Sequence, residues 1–246
     1  MVLMVMLAIL LLVFAVIAAY LLWGMTSLAR SRAYCWKVRP CDDVPFAQNR
    51  LKKLCKIARA RGFQPCGLFL DESRIKWAES YMSFWLNKSR DALVLFLPYR
   101  FVGEDDLPEV PWNDDPPEVP FEVLTLLVNG IYLITKSSFT SEITGGGWRE
   151  MECLEGEVTL SRLLYRHEQR LQKCGMKPQT IPPENAVQFY ETYERERIDR
   201  LVRLGRAKYL DKNKTCWRHK SRGSIKSSAL HIKYAWQKAR DESRGA

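Results

Sequence analysis

Residues 121–136 have the sequence FEVLTLLVNGIYLITK and contain the clearest fold signal in the chain. Two apolar runs rich in β-branched residues, 121–128 and 131–136, flank the pair Asn129-Gly130. An Asn-Gly pair in this setting predicts a β-hairpin, because both central positions of a type I′ turn need a positive φ. We therefore predict that an antiparallel sheet is built around this hairpin.

The flanking sequence extends the same sheet toward the N-terminus. Apolar or alternating runs predict three further strands, at 67–70, 77–86 and 92–99. Amphipathic patterns predict helices on either side of these strands in the sequence, at 46–61 and 158–174. The predicted fold class is α+β, with a mostly antiparallel sheet of about five strands packed by helices.

The C-terminal part of the chain is predicted to be a helical, basic extension. A long helix is expected at about 184–209 after Pro182-Pro183, and a last helix at about 225–240. The predicted organisation is an α+β domain at 45–180, which includes an acidic, proline-rich insert at 103–120, and then the helical region at 181–246.

The N-terminal residues have the composition of a membrane anchor. Residues 1–23 contain no charge and no proline, and as a helix they would span roughly 35 Å, enough to cross a bilayer. A cleavable signal peptide is disfavoured because the run is long and lacks a basic start. We predict a single-pass transmembrane helix at 1–25 and a basic juxtamembrane tether at 26–44. The positive-inside rule then places the N-terminus outside and the bulk of the chain in the cytoplasm.

The cysteine pattern indicates the redox compartment of the protein. Seven cysteines without C-x-x-C spacing fit free thiols in a reducing compartment.

Lys and Arg number 38 against 28 Asp and Glu, and the excess is concentrated in residues 26–76 and 195–246. Two basic ends indicate an anionic partner, such as anionic lipid headgroups or nucleic acid.

The search for catalytic and ligand-binding motifs gives no strong candidate. The chain contains no phosphate-loop, dinucleotide-binding, nucleophile-elbow or H-E-x-x-H motif, and the acidic insert lacks the calcium-loop spacing. Cys216, His219 and His231 offer three zinc ligands without a fourth. A nucleophilic pair of His167 with Cys153 or Cys174 is possible, but helical spacing already explains His167 and Cys174 on a core face. We predict no cofactor, no metal and no catalytic residue.

The basic helices are the more informative features of the sequence. Cations on the first helix and cations with an aromatic residue on the last could contact an anionic membrane surface, although a merely solvated face is the commoner reason for such a pattern. These candidate anion-binding residues are Arg50, Lys52, Lys53, Lys56, Arg59, Lys233, Trp236 and Lys238.

Three function classes remain open at this stage. The first is a membrane-anchored, non-catalytic interaction or scaffold module that holds an unidentified protein partner. The second is an enzyme whose site is assembled from scattered residues. The third is a membrane-tethered nucleic-acid-binding protein. The sequence favours the first, and it does not identify the partner or the oligomeric state.

Overall fold

A computed structural model describes residues 34–45, 48–72, 78–101, 119–137, 147–154 and 158–220, together with Met6, Leu12, Val13, Phe14, Val16 and Ala19. The chain divides into two compact units. The larger unit comprises residues 35–140 and 145–196, and the smaller unit comprises residues 1–34, 141–144 and 197–246.

The larger unit is an α+β fold around a mostly antiparallel sheet. Its strands are β2 (Val38–Pro40), β3 (Gln64–Asp71), β4 (Ala78–Leu86), β5 (Leu93–Phe96), β6 (Tyr99–Phe101), β7 (Phe121–Leu126), β8 (Tyr132–Lys136) and β9 (Arg149–Cys153), and β1 (Tyr34–Cys35) lies at the boundary between the units. Seven strands follow one another in the order β2-β3-β4-β5-β7-β8-β9, and β6 pairs separately with β4. All of these pairs are antiparallel except β8 with β9, which is parallel.

The β7–β8 hairpin is present at the predicted position, but its turn type differs from the prediction. The Gly130 amide donates to the Leu127 carbonyl (2.9 Å), and Gly130 has a φ of 78° whereas Asn129 does not have a positive φ. This is a type I turn followed by a left-handed glycine rather than a type I′ turn. The Asn129 side chain instead accepts a hydrogen bond from the Ile131 amide (3.1 Å).

Helices cover both faces of the sheet. On one face, α1 (Gln48–Ala60) and α2 (Leu160–Cys174) bury apolar residues against Trp85, Phe96 and Val123. On the other face, α3 (Ala186–Arg203) packs Tyr190 and Tyr193 against strand residues of the same sheet, and a 3₁₀ turn at Pro183–Asn185 precedes it. The alternation of side chains along β7 and β8 therefore supplies two cores.

The smaller unit, in its described part, contains the end of α3 and a β-hairpin, which joins β1 in a three-stranded sheet. The strands β10 (Ala207–Tyr209) and β11 (Cys216–His219) pair antiparallel, and Gly205, with a φ of 67°, marks the end of the helical segment. Ile198 and Leu201 pack against Ala207, with Tyr209 and Trp217 at the margin of this cluster.

The predicted transmembrane helix at 1–25 requires correction. Among the residues that the structure describes, no helix combines the length and the apolar character needed to cross a bilayer. A crossing needs about 20 consecutive apolar helical residues. Most of the predicted anchor lies outside the described residues. The single-pass topology and the cytoplasmic placement inferred from it are wrong on this finding.

Other predictions about the fold also require correction. The count of about five strands is too low, because β2 and β9 are short and largely polar, so no apolar run marks them. Part of the tether predicted at 26–44 forms β1 and β2. The long helix predicted to reach residue 209 ends at Arg203, and strands occupy 207–219 where a helical region was expected. The acidic insert up to residue 118 and the helix predicted at 225–240 lie outside the described residues.

The expectation of seven free thiols is also wrong. Cys35 and Cys216 are disulfide-bonded, whereas Cys41, Cys55, Cys66, Cys153 and Cys174 are free. Spacing along the sequence does not determine which thiols are oxidised in the fold.

Candidate anion-binding surface

The apolar residues of α1 lie on one side of the helix, and this side packs against the sheet. Leu51, Leu54, Cys55 and Ala58 belong to the core that α1 shares with α2 and the strands. The helix ends where the Gly62 amide bonds the Arg59 carbonyl (2.9 Å) with Gly62 in a left-handed conformation. The remaining positions of α1 are therefore held toward solvent by the packing of its apolar side.

Four of the predicted site residues lie on this solvent side. Lys52, Lys53, Lys56 and Arg59 are exposed, and the Arg59 guanidinium lies 5.5 Å from the centre of the Trp85 ring. Arg50 is half-buried and is not counted with them. Arg61, one residue beyond the helix end, is exposed and adds a fifth cation. We call Lys52, Lys53, Lys56, Arg59 and Arg61 the α1 cationic face.

The α1 cationic face lacks the ion pairs that several other basic residues make. Within the described part of the chain, none of its five members makes an ion pair. Elsewhere, carboxylates neutralise cations at short distances: Glu72 lies 2.7 Å from Lys37 and 2.9 Å from Arg39, and Glu152 binds two arginines of α2. No described carboxylate therefore neutralises the α1 cationic face.

The other three predicted site residues, Lys233, Trp236 and Lys238, lie outside the described residues. The structure therefore does not bring them together with α1.

Sequence reasoning missed a buried polar network at the junction of α2 with the sheet. His167 is 2% exposed, and its Nε2 and Nδ1 atoms each lie 3.0 Å from a threonine hydroxyl, of Thr125 on β7 and Thr135 on β8. Arg170 donates to the Thr135 hydroxyl (2.9 Å) and to the Ile134 carbonyl. Burial, with the charge of Arg170, lowers the pKa of His167 to about 3, so the ring is neutral and both nitrogens are satisfied.

A second buried polar cluster lies on the α3 face of the sheet. The Lys136 ammonium lies 2.6 Å from one Glu122 carboxylate oxygen, and both side chains are largely buried. Arg149 donates to the Tyr193 hydroxyl (2.9 Å), and burial raises the pKa of Tyr193 to about 12. The threonines of the first network and the Glu122–Lys136 pair carry a weak sequence signal, since each is a polar residue inside an apolar strand.

The geometry of His167 and of the cysteine thiols argues against a nucleophilic Cys–His pair. Both ring nitrogens of His167 bond hydroxyls, so the ring is not oriented toward a cysteine, and the Cys174 thiol donates to the Leu171 carbonyl (3.0 Å). Burial raises the pKa of the Cys41, Cys55 and Cys66 thiols, which disfavours the nucleophilic thiolate.

The metal hypothesis receives no support from the described residues. No group of three His, Cys, Asp or Glu side chains among them is placed to hold a metal ion. Cys216 is disulfide-bonded and therefore does not offer the thiolate that zinc needs, and His231 lies outside the described residues.

An open groove of about 850 Å³ runs beside α2 and includes Arg166, Arg170 and Lys173 in its lining. Its two arginines bond Glu152, with 2.9 Å between Arg166 and the carboxylate and 3.2 Å between Arg170 and the carboxylate. The groove is therefore less suited to an anion than the α1 cationic face.

Comparisons of the chain with models of protein families, with curated proteins and with solved structures give no match. A functional proposal has to come from the geometry of the chain itself.

Proposed function

We propose that the chain is a non-catalytic interaction module that binds a polyanionic macromolecule through the α1 cationic face. The observation that carries this proposal is that five neighbouring cations are exposed without an ion pair among the described residues.

Arg59 lies in the last turn, where a cation favours the helix dipole, but the spacing of the cations otherwise does not benefit the helix. Lys52 and Lys56 are four residues apart, and Lys56 lies three residues from both Lys53 and Arg59, so like charges are neighbours on the helix surface. Each such pair destabilises a helix by a few tenths of a kcal/mol. The first turn of α1 contains no acidic residue to complement the helix dipole. A bound polyanion would remove this repulsion.

The surface is also preorganised. Ala58 is completely buried and Leu54 and Cys55 pack in the same core, so α1 is anchored before any partner arrives. A rigid helix loses little backbone entropy on binding, which leaves more of the electrostatic attraction as binding free energy.

Charge reversal tests the proposal. The full-length K52E/K53E/K56E variant is compared with K88E/K173E/K177E, which makes the same change in net charge at exposed lysines outside α1. Binding of a short DNA duplex and of polyglutamate is measured at low salt. We expect the native chain to bind at least one probe and the α1 variant to bind it at least about tenfold more weakly, with the control near native affinity. Failure of the native chain to bind either probe, or an equal loss in both variants, would overturn the proposal.

A further inference from the structure

The sequence contains two acceptor motifs for N-linked glycans. The motif consists of an asparagine, any residue except proline, and then a serine or a threonine. It occurs as Asn87-Lys88-Ser89 and as Asn213-Lys214-Thr215. Because so short a motif also arises by chance, the local structure has to decide whether either asparagine is available for modification.

The Asn87 side chain is held by hydrogen bonds on both of its polar atoms. Its amide nitrogen donates to the Ser89 hydroxyl (2.9 Å) and to an Asp91 carboxylate oxygen (2.6 Å). Its amide oxygen accepts from the backbone amides of Asp91 (2.9 Å) and Ala92 (3.0 Å). A glycan replaces one of the two hydrogens on the amide nitrogen, so at least one of these bonds would be lost. The glycan is also bulky, and Asn87 is half-buried.

The Asn213 side chain is in the opposite situation. It is exposed in the connection between β10 and β11. Among the described residues, its amide group has no hydrogen-bond partner. A glycan at Asn213 would therefore cost no hydrogen bond of the described fold, and it would lie in solvent.

The β10–β11 connection holds its shape without the Asn213 side chain. One carboxylate oxygen of Asp211 accepts from the Thr215 hydroxyl (2.6 Å) and from the Thr215 amide (3.1 Å). The other oxygen accepts from the Cys216 amide (2.7 Å). These bonds close the connection around Asn213, so a substitution of Asn213 should leave the hairpin intact.

The cysteine that follows the motif indicates the compartment. Cys216 is disulfide-bonded. Disulfides form and persist in oxidising environments such as the lumen of the secretory pathway, where N-linked glycans are also attached. The five free cysteines are half-buried, and burial raises the pKa of the Cys41, Cys55 and Cys66 thiols. A raised thiol pKa slows thiol–disulfide exchange, so these thiols are compatible with the same environment.

We propose that Asn213, in preference to Asn87, carries an N-linked glycan in the folded chain. In the reaction, the amide nitrogen of Asn213 attacks the anomeric carbon of an oligosaccharide that is carried on a lipid diphosphate. The nitrogen–carbon bond forms while the bond from that carbon to the diphosphate oxygen breaks. The lipid diphosphate leaves, and the amide nitrogen releases one proton. An oligosaccharyltransferase of the secretory pathway catalyses the transfer, so the chain supplies only the acceptor.

This inference goes beyond the proposed function, because it concerns a covalent modification in the other unit. Expression of the full-length chain in a eukaryotic cell tests it. Peptide-N-glycosidase removes each glycan and leaves an aspartate, so mass spectrometry of the treated chain gives the occupancy at each asparagine. We expect a glycan at Asn213, with much lower occupancy at Asn87.

Two variants assign the glycan. Asn213→Gln should lack the Asn213 glycan completely, and because the side chain makes no hydrogen bond with a described residue, this loss reports the acceptor and not misfolding. Ser89→Ala, which destroys the other motif and leaves Asn87 in place, should retain the glycan. A native chain without a glycan at Asn213 would overturn the inference. Occupancy at Asn87 that equals or exceeds the occupancy at Asn213 would also overturn it.

Discussion

His167 lies between two strands and connects α2 to both of them through Thr125 and Thr135. Arg170, one turn further along the helix, bonds the same Thr135 hydroxyl. A fully satisfied buried network of this kind fixes one register of a helix against a sheet, because any shift leaves polar atoms without partners. This buried network therefore contributes to the specificity with which α2 packs on the sheet.

The burial of His167 predicts a pH dependence of stability. Burial, reinforced by Arg170, lowers its pKa from 6.5 to about 3. The unfolded chain then binds a proton below pH 6.5 that the folded chain does not bind until about pH 3. The stabilising contribution is complete above pH 6.5 and is lost as the pH falls through this window.

A His167→Gln variant tests this pH dependence, because glutamine retains hydrogen-bonding atoms but does not titrate. Between about pH 7 and about pH 4.5, the free energy of unfolding of the native chain should fall by about 2 kcal/mol more than that of the variant. Denaturant titrations at the two pH values measure this difference. Parallel decreases in the two proteins would show that His167 is not the titrating group.

The elements differ in how well their sequences predicted them. The helices at Gln48–Ala60 and Leu160–Cys174 lie within a few residues of their predicted bounds, because each combines apolar periodicity with a glycine at its C-terminal end. The predicted strand at 92–99 is instead two strands, β5 and β6, separated at Leu97-Pro98. Proline has no amide hydrogen to donate to a ladder, which explains the interruption.

Elements without an apolar pattern were not predictable in this way. The strand β9 has the sequence REMEC and forms through its parallel pairing with β8, a long-range contact that local periodicity does not contain. The ion pairing of the candidate anion-binding surface was likewise not predictable from the local sequence. The basic character of α1 is visible in the sequence, but the ion pairing of its cations depends on which carboxylates the fold brings near.

The β7–β8 turn provides a prediction at this scale. Gly130 has a φ of 78°, and an added Cβ there would meet no atom within 4 Å, so the cost of a side chain is conformational and not steric crowding. Gly130→Ala should lower the free energy of unfolding by about 1 kcal/mol, and Gly130→Asn by less, because asparagine tolerates the left-handed conformation better. Denaturant unfolding of the two variants checks the order. Equal losses would indicate that the glycine backbone conformation is not what stabilises this turn.

At the scale of the whole molecule, charge is the property that connects the structure to a function. The chain carries a net charge of +10, and the larger unit contributes five exposed cations on and beside α1 that make no ion pair with a described residue. Excess positive charge disfavours the compact state through self-repulsion, and it favours fast association with polyanions. The α1 cationic face is held in place by a buried core, and our central claim is that it is the surface that binds a polyanion.

Acetylation footprinting of the native chain tests most directly whether the α1 cationic face is the surface that binds a polyanion. Lysines are acetylated in the free chain and in the presence of excess DNA duplex or polyglutamate, and mass spectrometry gives the rate at each site. We predict that at least one probe slows the modification of Lys52, Lys53 and Lys56 several-fold, while Lys88 and Lys177, which are exposed in turns and loops outside α1, react at unchanged rates. Unchanged rates at the three α1 lysines in a chain that is demonstrably bound to a probe would contradict the assignment of α1 as the binding surface.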